Sequence, residues 1–291
     1  MFARYNLLTK IPLPHVFWKT SYTASCLAGL LLLTAGIHGD SFHSIPKARQ
    51  PAAAAFPSVM PPRVLWAWEE PEDMRFLGLR FLDPRQTGVA YLAETLLLGD
   101  EVRVKSRHQP LLLAPGTLLM AVVRIEPGPG GKGAFRDSPE LRRDTAANIA
   151  ALARPGVAAI QVDFDAARSQ RAFYADVLRQ VRARLPARIP LSITALLSWC
   201  TADDWIAGLP VDEAVPMHFR LGREVRDPLA QDPGAWRSVE PLCQGSFGVS
   251  TDEPWPRLSP GSRVYIFAPH PWTARDYADA SGLALLKGAT L

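Results

Sequence analysis

The stretch Ile160-Gln161-Val162-Asp163-Phe164-Asp165 alternates polar and apolar residues along one short strand. Side chains along a strand point to opposite faces in turn. Gln161, Asp163 and Asp165 therefore share one face, while Val162 and Phe164 share the other. Unpaired charge inside a protein costs several kcal/mol or more, so two carboxylates on an inward face need a reason. At the open end of a barrel they would form the floor of a site. Beside Arg they would instead be ion-paired structure.

Working outward, eight apolar segments are short enough for strands and are bounded by Gly, Pro or polar residues. They are 63–68, 88–92, 118–125, 158–165, 190–197, 213–219, 246–250 and 263–268. Helical patterns lie between several of them. Ser138-Pro139-Glu140 is a capped helix start, followed by Leu141, Ile149 and Leu152. From Ser169 on, Phe173, Val177, Val181 and Leu185 recur every four residues. Residues 202–208 and 273–286 also read as helical. Alternating strands and helices imply βαβ units, and eight strands over roughly 230 residues predict a closed (β/α)8 TIM-type barrel. Between the second and third strands, residues 101–105 and 111–113 replace the helix with an extra β-hairpin, which makes the barrel irregular.

The chain has 291 residues, 48% of them hydrophobic and 21% charged, which fits a globular domain with a large core. Residues 1–39 differ. Arg4, Lys10 and Lys19 precede an apolar run, 24–37, that is shorter than the roughly 20 residues of a spanning helix. This reads as an export signal, with Thr34 and Gly36 at cleavage-type positions, or as an uncleaved anchor. Membrane contact is expected only through that segment. Residues 40–62 form an Ala/Pro-rich linker, and 63–291 form the single barrel domain. Export would place the protein in the periplasm, outside the cell or tethered to the membrane. Cys200 and Cys243 then remain, and in an oxidising compartment they are expected to form a disulfide, with two buried thiols as the alternative.

Net charge is +4, but the basic residues are scattered and form no nucleic-acid-type run. There is no zinc-spaced Cys/His set and no phosphate-cradling glycine fingerprint, so no cofactor is expected. Gly128–Gly133 has the wrong spacing for a phosphate loop and reads as a flexible loop.

Sites in such barrels gather at the carboxyl ends of the strands. Those ends offer Trp66, Trp68 and Glu69, then Arg124 and Glu126, then Asp163 and Asp165 beside Gln161. Trp199 follows the fifth strand, Met217, Phe219 and Arg220 the sixth, and Asp252 and Glu253 the seventh. Carboxylates that move protons, with flat rings that stack on sugar faces, suit a glycan or cell-wall polysaccharide. Asp163 and Asp165 are the catalytic candidates, with Asp165 as general acid and its pKa raised by the charge of Asp163. The other strand-end residues are candidates for substrate binding.

The segments 64–69, 122–126, 161–166, 191–200, 211–222 and 248–254 together resemble the bacterial family known as domain of unknown function 3142. This implies a shared fold and no established activity. The chain is more distantly similar to the chitinase-type glycosidases of family 18. Their fourth strand ends in Asp-x-Asp-x-Glu and their sixth carries Met-x-Tyr. Gln161-x-Asp163-x-Asp165 and Met217-His218-Phe219 stand at those places here. The resemblance implies an acid at Asp165 and an orienting partner at Asp163. Asp is one methylene shorter than Glu, and Phe219 lacks the tyrosine hydroxyl. Two other classes are compatible with the same residues. One is a carbohydrate-binding module without turnover. The other is a metal-assisted hydrolase using Asp163, Asp165, Asp252 and Glu253 as oxygen ligands.

Overall fold

The structure is a computed structural model that describes residues 59–78, 86–127, 135–221 and 238–286. The expected export signal, most of the expected Ala/Pro linker and the expected glycine loop at 128–133 lie outside the described residues. The described residues form eleven strands: β1 Arg63–Ala67, β2 Glu72–Met74, β3 Thr87–Leu98, β4 Val102–Ser106, β5 Leu111–Leu113, β6 Leu119–Pro127, β7 Val157–Asp163, β8 Leu191–Leu196, β9 Glu213–Met217, β10 Ser246–Ser250 and β11 Arg263–Phe267. The α-helices among the described residues are α1 Pro139–Ala150, α2 Arg171–Arg184, α3 Leu197–Thr201 and α4 Ala274–Leu286.

Eight of these strands close into a parallel barrel. The order runs β1-β11-β10-β9-β8-β7-β6-β3, and β3 pairs back to β1. The irregularity lies where the helix pattern is missing. β3 runs on to Leu98, past the predicted end at Leu92, with a register shift between Leu92 and Glu94. β4 then folds back antiparallel on this extension, pairing Glu94 with Ser106 and Leu98 with Val102. The hairpin is thus formed by β3 and β4. Residues 111–113 do not join it but pair in parallel with β2. Backbone groups on an extended edge need partners, and β4 supplies them to the overhang of β3.

The helices cover the barrel as their patterns require. The Ser138 hydroxyl accepts the Leu141 amide at 3.1 Å and caps α1, which buries Leu141, Ala146 and Ile149. α2 buries Phe173, Tyr174, Val177, Leu178 and Val181. The predicted helix at 202–208 is only a 3-10 turn, Asp204–Ile206, and the chain leaves it through Gly208 at φ +76°. Among the described residues no helix is long and apolar enough to cross a membrane.

The lumen is layered. Its lower part holds a buried polar network instead of an all-apolar plug. Arg263 pairs with Glu213 at 2.8 Å, and its other donors reach the carbonyls of Pro61 and Met60. Tyr265 donates to Glu213 at 2.7 Å and Ser192 does so at 3.2 Å. Gln161 donates to Ser192, and the Trp66 indole donates to Gln161 at 2.8 Å. Gly248 makes room for this indole, since a Cβ there would lie 3.2 Å from both Trp66 and the Pro216 carbonyl. The network ends just beneath the open end of the barrel.

Candidate functional site

A cavity of about 360 Å³ opens at the carboxyl end of the strands. Asp163 is the last residue of β7, and Asp165 lies two residues further on, more exposed than its neighbour. Both line the cavity. The Thr194 hydroxyl on β8 donates to Asp163 at 2.7 Å. Arg124 stands opposite Asp163 in the β6–β7 register. Its Nε pairs with Glu126 at 2.7 Å, and its guanidinium lies 5.6 Å from the centre of the Trp68 ring.

Burial pushes the Asp163 carboxyl up to about 6. The Thr194 hydrogen bond opposes this shift, the charge of Asp165 adds to it, and Arg124 works against it. Burial also raises the Asp165 carboxyl, with Arg124 opposing. The sequence reading placed the like-charge effect on Asp165. It falls on Asp163, which is the deeper group and has only one hydrogen-bonding side chain.

Aromatic rings form the rest of the wall. Phe219 and Phe267 stack at 5.7 Å with a 4° tilt, Trp66 lies 6.1 Å from Phe219, and Trp68 meets Phe267 edge-on at 6.4 Å. Met217 and Arg220 also reach the cavity. Phe267 and Thr194 were not among the sequence candidates. The signal for Thr194 was present, because Ser192 and Thr194 are polar at alternate positions of an otherwise apolar strand, as Gln161 and Asp163 are.

At the rim, Arg220 adopts a left-handed backbone, φ 57°, which a non-glycine residue holds only when its surroundings enforce it. Glu253 provides that restraint, accepting the Arg220 amide at 3.1 Å and its guanidinium at 2.6 Å. Asp252 accepts a further guanidinium bond at 2.9 Å and is itself bonded by the Ser250 hydroxyl. Asp252 and Glu253 therefore clamp Arg220 and do not line the cavity. Among the described residues no three His, Cys, Asp or Glu side chains gather to hold a metal ion, so the four-acid ligand set is not assembled. Between Met217 and Phe219, His218 is buried 5.3 Å from the Phe247 ring, and burial pushes its pKa down to about 3.

Three further candidates lie elsewhere. Gln161 is fully buried below the cavity within the lumen network. Trp199 packs in the outer core, 4.8 Å and edge-on to Trp205. Helical rotation explains this, because two residues along α3 turn Trp199 to the side away from the cavity-lining Leu197. Glu69 pairs with Lys105 at 3.0 Å beside a separate small depression. Next to Trp199, Cys200 and Cys243 are joined in a disulfide with Cα atoms 5.9 Å apart.

A second cavity of about 460 Å³ adjoins the first and shares Arg124, Asp163 and Asp165 with it. Glu126, Ser169 and Gln170 line it.

The resemblance to the unknown-function family stands. Residues 115–237 match the family model described as Domain of unknown function (DUF3142), a span that holds Arg124, Asp163, Asp165 and Phe219. Among curated proteins none matches the chain. One similar solved structure is the Bacillus cereus spore cortex-lytic enzyme SleL. It is 22% identical over 53% of this chain and 41% of that chain, with a TM-score of 0.36. The chain thus spans less than half the length of that enzyme. At this level of superposition the likeness carries nothing about activity here.

Proposed function

We propose that this is an exported glycoside-hydrolase-like enzyme that acts on a glycan through Asp163 and Asp165. The observation that carries this reading is a carboxylate pair, one member held at about pKa 6, at the strand ends of a barrel in a cavity walled by Trp66, Trp68, Phe219 and Phe267. Flat apolar walls stack on sugar faces, and acids titrating near neutrality move protons. The two carboxyls lie in one cavity, and the charge of Asp165 helps to keep a proton on Asp163. Asp165, the more exposed, protonates the leaving oxygen. Asp163 resupplies the proton and, once ionised, faces the positive charge that develops on the sugar. Phe219 has no hydroxyl, so it serves as a wall and takes no part in proton transfer. The buried disulfide supports an oxidising compartment, and hence export.

Purified protein should be screened against peptidoglycan, chitin and exopolysaccharide fragments, with Asp165→Asn alongside wild type. The expected result is a loss of about 10²–10⁴ in turnover at an unchanged melting temperature. A melting temperature lower by several degrees would identify the pair as structural ion-pairing. Binding of a fragment without Asp165-dependent turnover would make the protein a carbohydrate-binding module.

A further inference from the structure

We infer that the substrate is a chain that crosses the carboxylate pair, with sugar units on both sides, and is cut internally; this rests on the glycosidase reading above. Two adjoining cavities, of about 360 and about 460 Å³, share Arg124, Asp163 and Asp165. The carboxylates are therefore a ridge between two lobes and not the end wall of a single pocket. Each lobe lies within the size range of clefts that enclose small ligands, about 300–1,000 Å³.

The lobes differ in chemistry. The first lies over the lumen and is walled by Trp66, Trp68, Phe219 and Phe267. The second leaves the barrel axis above the ends of β6 and β7, and beyond the shared residues its polar groups are Glu126, Ser169 and Gln170. Ser169 is exposed at the 3-10 turn that opens α2. A site for one terminal sugar would need closure on the far side of its acid, whereas among the described residues this acid has open space on both sides. The aromatic lobe is suited to hold the sugar whose bond is broken by stacking. The polar lobe is suited to hold the leaving chain by hydrogen bonds between the sugar hydroxyls and Glu126 and Ser169. Hydrolysis balances simply. Water adds across the glycosidic bond, its hydroxyl going to the sugar in the aromatic lobe and a proton to the oxygen leaving through the polar lobe.

Ser169→Trp, which fills the polar lobe, tests this on soluble peptidoglycan and chitin oligosaccharides of graded length and on a short aryl glycoside. With Asp165-dependent turnover in hand, the inference expects internal cleavage. It also expects Ser169→Trp to lower the ratio of long-chain to short-substrate turnover about tenfold or more, equivalent to roughly 1.4 kcal/mol. Release of terminal sugars alone, or an unchanged ratio, would overturn the inference and leave the glycosidase reading intact. If no oligosaccharide is turned over, the glycosidase reading fails, and binding of the same ladder followed by tryptophan fluorescence decides the two-lobed cleft. Affinity that grows with length in wild type and stops growing in Ser169→Trp upholds it, and length-independent affinity overturns it.

Discussion

Glu213 and Asp163 are both carboxylates inside the same barrel, on β9 and β7, yet their surroundings differ. Glu213, at the lower end, is 4% exposed and accepts hydrogen bonds from Arg263, Tyr265 and Ser192. Asp163, at the upper end, has one hydroxyl from Thr194, a neighbouring carboxylate and a cavity in front of it. Burial raises both carboxyls, but at Glu213 the Arg263 charge and the hydrogen bonds oppose the rise, while at Asp163 the Asp165 charge adds to it. A carboxylate with a full set of partners holds the barrel together. One with a partial set beside a cavity is the one on which the proposed chemistry rests.

The comparison breaks most visibly at Glu213. Replacing it with Ala leaves Arg263 charged and buried, so Glu213→Ala should cost about 3–5 kcal/mol in urea unfolding. A loss below about 1 kcal/mol would mean that the lower layer is no more structural than the upper one.

Asp163→Asn should act in the opposite direction at neutral pH. The folded carboxyl titrates at about 6 and the ordinary value is 3.8, so the folded state takes up the proton more readily than the unfolded chain. The contribution of Asp163 to stability is therefore greatest below about pH 4, falls as pH rises through about 6, and is flat above. The total is up to about 3 kcal/mol for a shift of roughly two units. Asp163→Asn removes this slope and should unfold at higher urea concentration than wild type near pH 8. Identical pH profiles for the two proteins would show that Asp163 is not held away from its ordinary value.

The smallest effect is expected at Thr194. Thr194→Val keeps the shape and removes the hydroxyl that lowers the Asp163 pKa. The carboxyl titration followed by NMR should move above about 6, with a stability loss of about 1 kcal/mol where Asp163 is ionised. An unmoved titration would assign the control of Asp163 to burial and neighbouring charge alone.

Much of this is legible in the sequence. Strands with period two and helices with period near four gave all eight barrel strands and the capped start of α1, because these patterns are local and hydrophobic burial enforces them. Misreadings arose where the chain changes direction. Trp199 is at a strand end by position, but α3 turns it into the outer core. Residues 111–113 look like the return arm of a hairpin, but they pair with β2, about 40 residues earlier in the chain. Asp252 and Glu253 are acids at a strand end, and only the left-handed turn at Arg220 shows that they hold a guanidinium.

Local periodicity in the chain was enough to specify a barrel with Asp163 and Asp165 at its open end, since side-chain direction along a strand follows from residue spacing alone. Which carboxylate receives a full set of partners and which keeps a single hydroxyl was decided only by the tertiary structure. The partners of Glu213 lie 21 to 52 residues away, and the lumen brings them within 3.2 Å. Partner identity, and with it charge state, depends on which strands close across the lumen, and no stretch of sequence contains that distance.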